Sequence, residues 1–365
     1  MTQVWQIAAG EKDRSYIDLF LNHDVMFMGP GRFGGYDKII YEPLEKDGTI
    51  GKGIATQLRQ FCTEVKSNDI IFLRLGSQAK AIGRIKPEKP TAMKGYFWTS
   101  TFDDVFGWDL QHARRVIWQH HLTDELQEIQ KRGELFYYRG STFSKVHKRL
   151  KGQIQNLFSQ CIDRDFKPLP SLPEPLTLEE LGTELFSKGL PNEDADKFIL
   201  AIQRQRRLVK WYQEGGKQGK RPSEREVVAH MILPLLLALG WSEQLLAVEW
   251  RKVDLAAFKC TPTVPANCCF VCEAKGYGHG LQNVFTQATT YAKKLKLDNC
   301  RRILLTDGAR LYLYQKQKDD NWNENPVGYL NIDKIRTNHI IPSGTNGIDT
   351  IIALTPAGMT REVGK

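Results

Sequence analysis

Residues Phe270 to Gly276 read FVCEAKG, and Arg251 to Phe258, just upstream, read RKVDLAAF. Each is a short β-prone run, and successive side chains of a strand leave opposite faces, so Glu273 and Lys275, two apart, share one face. Asp254 lies on the preceding run. If the two runs pair as a hairpin, two carboxylates and one ammonium converge at a sheet edge. Unneutralised charges resist such crowding away from water. A divalent cation removes the conflict: magnesium takes hard oxygen ligands and keeps several waters, so Asp254 and Glu273, with the carbonyl of Ala274, can hold it. Manganese is the alternative ion. A lone E-x-K also fits surface charges on a half-buried strand, so the sequence around it has to separate the two readings.

Working outward, Ser223 stands at an N-cap position before EREVVAHMILPLLLALGW, in which Val228, Ile232, Leu235 and Leu239 fall on one helical face. Strand-like pieces at Leu246 to Glu249, Val253 to Phe258, Phe270 to Ala274, Arg302 to Thr306 and Leu311 to Gln315 alternate with a helix from Leu281 to Leu295. This is the pattern of an α/β domain with a helix crossing between strands. The succession SEREVVAHMILPLLLALGW, WRKVDLAAF, CFVCEAKG, QATTYAKKL, RRILLTDGARLYLY resembles the N-terminal nuclease domain of type I restriction enzyme R subunits and related PD-(D/E)XK nucleases. The resemblance spans Ser223 to Tyr314. It implies a restriction-endonuclease-like fold and a magnesium-dependent DNA endonuclease with Asp254, Glu273 and Lys275 as catalytic residues. It further implies a helical acid completing the metal site, Glu224 in first place and Glu226 in second, and a QxxxY pair in Gln287 and Tyr291. Those two sit at i and i+4, so they project together from a helix. The resemblance makes TDG at Thr306 to Gly308 a structural strand turn. R subunits continue into a translocase, whereas no GxxxxGK[ST] phosphate loop occurs here, so translocation is not expected.

The 365 residues are enough for two domains. Phe166 to Glu180, FKPLPSLPEPLTLEE, carries prolines at 168, 170, 173 and 175 and reads as a semi-rigid connector. The expected layout is therefore a first domain over 1–165, a linker over 166–180, a nuclease domain over 181–345 led by a basic helix, and a loosely ordered tail over 346–365. The first domain mixes strands (Val4 to Ala8, Val25 to Met28, Ile70 to Leu75, Ala81 to Ile85, Val116 to His120) with helical stretches at Ser15 to Asn22, Ile54 to Val65, Leu122 to Lys131 and Phe143 to Phe158. A small curved sheet or barrel with flanking helices follows. The whole chain is thus of mixed α/β class.

The runs VWQIAAG, VMFMGPGRFGGY, NDIIFLRLGSQAKAIGRI and RRVIW resemble the PUA-like superfamily, its EVE and ASCH branches in particular, over residues 3 to 160. The resemblance implies a domain that reads a nucleobase, with a modified base flipped into an aromatic site. Trp5, Phe33, Tyr36, Trp98 and Trp108 are the candidate walls of this base pocket and Asp109 its candidate edge reader. A tryptophan in a small β domain is also a common core residue. Arg114 and Arg115 are candidate phosphate contacts or rim residues.

The formal charge of +9 suits an anionic partner. Arg204, Arg206, Arg207, Lys210, Lys217, Lys220 and Arg221 face only Glu214 in their stretch and are the candidate nucleic-acid-binding residues. Seven cysteines without an export signal point to free thiols; a zinc site at Cys260, Cys268, Cys269 and Cys272 is disfavoured because no second ligand pair follows. With no secretory leader and no apolar run of about 20 residues, a cytoplasmic location is expected. The combined expectation is a modification-dependent, type IV-like restriction enzyme acting on modified double-stranded DNA, as a homodimer so that both strands are cut. A defence nuclease switched on by a small nucleotide, and a non-catalytic nucleic-acid-binding protein, are the alternatives.

Overall fold

In a computed structural model the described residues are 2–11, 14–86, 95–105, 108–132, 141–146, 152, 155–213, 222–277 and 282–360. They form a mixed α/β protein that divides into two compact units, residues 1–103 with 108–170, and residues 104–107 with 171–365. Among the described residues no helix is long and apolar enough to cross a membrane.

The first unit contains β1 (Val4–Ala8), β2 (Gly10–Glu11), β3 (Arg14–Ser15), α1 (Ile17–Asn22), β4 (Val25–Met28), α2 (Lys38–Lys46) and α3 (Lys52–Arg59), which runs on as a π-helical turn over Gln60–Glu64. There follow β5 (Ile70–Leu75), β6 (Gln78–Arg84), β7 (Tyr96–Trp98), β8 (His112–Arg115), β9 (Ile117–Trp118), α4 (Thr123–Lys131), β10 (Phe143–Lys145) and α5 (Gln155–Ser159). One sheet has the order β10-β1-β5-β6-β9 and a second the order β4-β8-β7. Because β1 is flanked on both sides, antiparallel by β10 and parallel by β5, Val4 to Ile7 are all buried. The stretch from Phe143 expected as a helix opens instead as strand β10, since Phe143 stacks on Trp5 at 5.1 Å and fills the ladder beside β1. Among the described residues of that stretch Gly152 and Gln155–Ser159 are helical, and residues 147–151, 153 and 154 lie outside the described ones.

The second unit begins with α6 (Leu178–Ser187) and the long α7 (Asn192–Gln213). Ser223 caps α8 (Glu224–Val227) with a reciprocal capping box to Glu226, which satisfies free N–H groups of the first turn. The helix continues through a π-helical turn, Val228–Ile232, into α9 (Leu233–Ala238), with Pro234 in the first turn of α9. Strands β11 (Leu246–Trp250), β12 (Val253–Phe258) and β13 (Cys268–Ala274) precede α10 (Gln282–Lys294). Strands β14 (Arg302–Thr306), β15 (Arg310–Gln315) and β16 (Gly328–Asn331) and helix α11 (Gly347–Leu354) complete it. The sheet runs β11-β12-β13-β14-β15-β16, antiparallel throughout except for β13 and β14, which α10 joins in parallel.

Alternation along the strands divides the core in two. Leu255, Ala257, Phe270, Cys272 and Ala274 pack with α6, α7, α8, α9 and α11, while Ala256, Phe258, Val271 and Ile303 pack under α10. The tail expected after Asn346 is a correction: Ile348, Ile351 and Leu354 of α11 are buried in the first of these layers, and Trp241 Nε1 donates to the Leu354 carbonyl at 2.8 Å. Residue 104 belongs to this unit too, with Asp104 Oδ1 accepting from Asn331 Nδ2 at 2.7 Å.

The turn between β14 and β15 is tied to the helical layer. Gly308 has φ +86°, its carbonyl accepts from the buried Gln205 of α7, and a Cβ there would meet Met231 Sδ at 2.3 Å and Val227 at 3.3 Å. Gly308→Ala should therefore destabilise the protein by about 1–2 kcal/mol, read as a lower denaturant midpoint. An unchanged midpoint would refute this account of the turn.

Candidate active site

Strand β12 meets β13 with Leu255 opposite Cys272, and continuing that register by one residue sets Asp254 opposite Glu273. Asp254 Oδ2 accepts from the Ala274 backbone N–H at 2.7 Å, which fixes the carboxylate at the end of β13. Glu273 is 2% exposed and its Oε1 has no hydrogen-bond partner. Its other oxygen lies 3.5 Å from Gln287 Nε2 on α10, and Gln287 is 3.4 Å from the Tyr291 hydroxyl. Lys275, one residue beyond β13, donates from its backbone N to the Thr306 carbonyl at 2.8 Å and from Nζ to Glu224 Oε1 at 3.0 Å. Helices from both sides of the sheet thus reach its end: α10 through Gln287, α8 through Glu224.

The electrostatics follow from burial. Desolvation, with the nearby Asp254 carboxylate adding to it, pushes Glu273 up to about 8, against which Lys275 pulls down. Asp254 is raised for the same first reason, moderated by the Ala274 N–H. Two adjacent carboxyls that resist ionising are a site short of positive charge. The unpartnered Glu273 Oε1 and the hard oxygen donors of Asp254, Glu273 and the Ala274 carbonyl suit a magnesium ion, which needs few protein ligands because it keeps its waters. Among the described residues no three acidic, His or Cys side chains stand together as a ready metal cage. Glu224, expected as the third acid, pairs with Lys275, and its charge also bears on both Asp254 and Glu273.

The basic residues separate. Arg204, Arg207 and Lys210 are exposed on α7, with Arg204 Nη1 also donating to the His230 carbonyl at 3.2 Å. Arg206 is half-buried, its Nε donating to the Ile332 carbonyl at 2.7 Å. Trp211, 42% exposed, shares the Arg204 and Arg207 side of the helix by spacing, a feature composition did not single out. Lys217, Lys220 and Arg221 lie outside the described residues.

In the first unit the expected base-pocket residues do not all meet. Trp5 is 1% exposed, its Nε1 donating to Asp69 at 2.8 Å, and Trp108 is 6% exposed, edge-on to Phe27 and Tyr16. Both belong to the core: Trp5 lies on the central strand β1, and Trp108 is enclosed by the rings of Tyr16, Phe27 and Phe102. Arg114 and Arg115 are likewise buried, donating to the carbonyls of Phe61 and Cys62 and of Lys167. Phe33, Tyr36, Trp98 and Asp109 do gather around one loop. Trp98 Nε1 donates to the Gly31 carbonyl at 2.9 Å, Tyr36 N to Tyr96 Oη at 2.8 Å, and Phe33 lies edge-on to Tyr41. The Asp109 carboxylate is engaged by Arg32 and by the N–H groups of Gly31 and Arg32. Beneath them His112 is held between the hydroxyls of Tyr41 (2.9 Å) and Tyr96 (2.7 Å), and burial lowers it to about 4, so it is neutral near pH 7. Tyr41, Tyr96 and His112 were not among the expected residues; their spacing along the chain carries no signal that they meet.

Comparison of the chain with models of known protein families, with curated proteins and with solved structures found no match.

The raised Glu273 gives a pH signature. Its ordinary value is 4.5, so between about pH 5 and 8 the unfolded state has lost a proton the folded state retains, and stability falls as pH rises through that window. In EDTA the thermal midpoint of the wild type should decline from pH 5 to above 8 relative to Glu273→Gln. Millimolar magnesium should raise the wild-type midpoint more at pH 8 than at pH 5.5, since only the ionised carboxylate holds the ion. Parallel curves for the two proteins would show that Glu273 has no shifted titration.

Proposed function

We propose that the second unit is a magnesium-dependent DNA endonuclease of the PD-(D/E)XK type, resembling the nuclease domain of type I restriction R subunits, and that the first unit directs it to modified DNA. The observation that carries the reading is the register that sets Asp254 against the buried Glu273, whose Oε1 is left without a hydrogen-bond partner, with Lys275 at the same strand end. Carboxylates forced together and left short of positive charge suit hydrolysis of a phosphodiester, whose own charge the same cation balances.

Asp254 is pre-oriented by the Ala274 N–H, and Glu273 presents an oxygen without a competing donor. Lys275 supplies the fixed positive charge: Glu224 holds its ammonium at the strand end, where it can orient an attacking water and stabilise the pentavalent oxyanion. Gln287 and Tyr291 steer the Glu273 side of the site. Bound magnesium would be held by Asp254, Glu273 and the Ala274 carbonyl and would supply Lewis acidity and a water of lowered pKa. Phe33, half-buried, and Trp98, exposed, support the reader role of the first unit, since accessible aromatic faces stack on extruded bases at ~1–3 kcal/mol each, while Tyr36 is buried against Tyr41. A homodimer would place one such site on each strand of a duplex.

Purified protein with magnesium should nick or cut DNA, and matched duplexes carrying different base modifications should be cut unequally. Lys275→Ala should lower the rate roughly 100-fold or more while its circular dichroism and thermal midpoint stay near wild type. Cleavage undiminished in Lys275→Ala, or none on any duplex, would defeat the nuclease. Equal cleavage of every duplex would remove the modified-base reader alone.

A further inference from the structure

The hairpin joining β11 to β12 pairs Trp250 with Val253, leaving a two-residue turn of Arg251 and Lys252. Both residues are left-handed, with φ +48° and +83°, and Glu249 next to them has φ +51°. Positive φ at both central positions marks the type I′ hairpin turn, for which Asn-Gly is the unstrained choice. Here two long side chains with Cβ atoms occupy it. Exposure alone does not explain them, because Asn-Gly is equally polar and relieves the strain.

Several features point the two cations at an external anion. Both side chains are exposed, and among the described residues neither has an ion-pair partner. Of the two acids nearest in sequence, Glu249 is engaged by Arg225 at 2.7 Å and Asp254 accepts from the Ala274 N–H at 2.7 Å. Arg251 lies over the Trp250 ring, 5.1 Å from its centroid, a contact that limits the orientations of its planar fork. The turn stands two residues before Asp254, at the Ala274 end of the sheet. Through Arg225 it is also braced on the first turn of α8, beside the Glu224 that holds Lys275. Strained residues persist where the surrounding structure or a function maintains them.

We propose that Arg251 and Lys252 grip the phosphate backbone of duplex DNA next to the Asp254–Glu273 pair. The proposal rests on the nuclease reading and names a contact that sets the duplex against the carboxylates. The two cations differ in kind: the fork of Arg251 can engage two oxygens of one phosphate, and Lys252 acts as a compact point charge.

The test is the double variant Arg251→Asn, Lys252→Gly, which removes both charges while installing the turn's least strained sequence, so misfolding is not the expected outcome. The matched control is Lys296→Gly. Lys296 is also exposed and left-handed, with φ +51°, but follows the end of α10, at the Arg302 end of the parallel β13–β14 pair, away from the site. Binding of a fluorescent 30-base-pair duplex in EDTA, read by anisotropy over a salt series, gives the dissociation constant and its salt slope. For the double variant we expect a thermal midpoint at or above wild type, affinity weaker by roughly 10- to 100-fold at 0.1 M salt, and a slope shallower by about 2. Lys296→Gly should leave affinity and slope as in wild type. Wild-type affinity and slope in the double variant, or an equal loss in Lys296→Gly, would overturn the hairpin contact and leave the nuclease reading standing. Failure of the wild type to bind any duplex would overturn both.

Discussion

The register of β12 against β13 is the constraint on which the rest of the second unit depends. It sets Asp254 across from Glu273 at the end of a buried sheet, where neither carboxylate can be solvated as it would be in water. Burial, with the Asp254 carboxylate adding to it, raises Glu273 to about 8 and so favours its protonated form near neutral pH. The surrounding contacts then become intelligible as ways of holding a poorly neutralised pair in place. The Ala274 N–H aims one carboxylate, Gln287 approaches the other, and Glu224 keeps the Lys275 ammonium at the strand end. A one-residue slip of register would put Asp254 on the other face of its strand and end the arrangement.

The helices around that sheet serve the same geometry. The Gln205 side chain, buried in α7, anchors the Gly308 turn, and the carbonyl of Thr306, two residues earlier, receives the backbone N–H of Lys275. Capping by Ser223 starts α8 at Glu224, which puts that acid in the first helical turn within reach of Lys275. Stability and site are therefore built from the same contacts. The left-handed Arg251 and Lys252 depart from this economy, since the turn they form would be less strained with other residues.

In the first unit the tyrosine and histidine network rigidifies one loop. A neutral His112 has both ring nitrogens engaged by hydroxyls and so fixes Tyr41 and Tyr96, which in turn hold the Phe33 to Tyr36 segment. Phe33 and Trp98 remain partly exposed on this support, whereas Trp5 and Trp108 serve as core.

By itself, the sequence determined the mixed α/β class, because hydrophobic periodicity is a local property: β1, β4, β5, β12 and β14 run over the residues their patterns mark. It also determined that Glu273 and Lys275 stand two apart after an apolar run and that Ser223 caps a helix. Only the tertiary structure decided the rest. The buried helix α11 and strand β10 depend on partners far away in the chain, a packing surface in one case and an edge to complete in the other. Trp5 turned inward, Arg206 was committed to a carbonyl and Glu224 was drawn to Lys275 for the same reason. Which neighbour a side chain meets is set by long-range contacts, and these leave no trace in the spacing of residues along a single strand or helix.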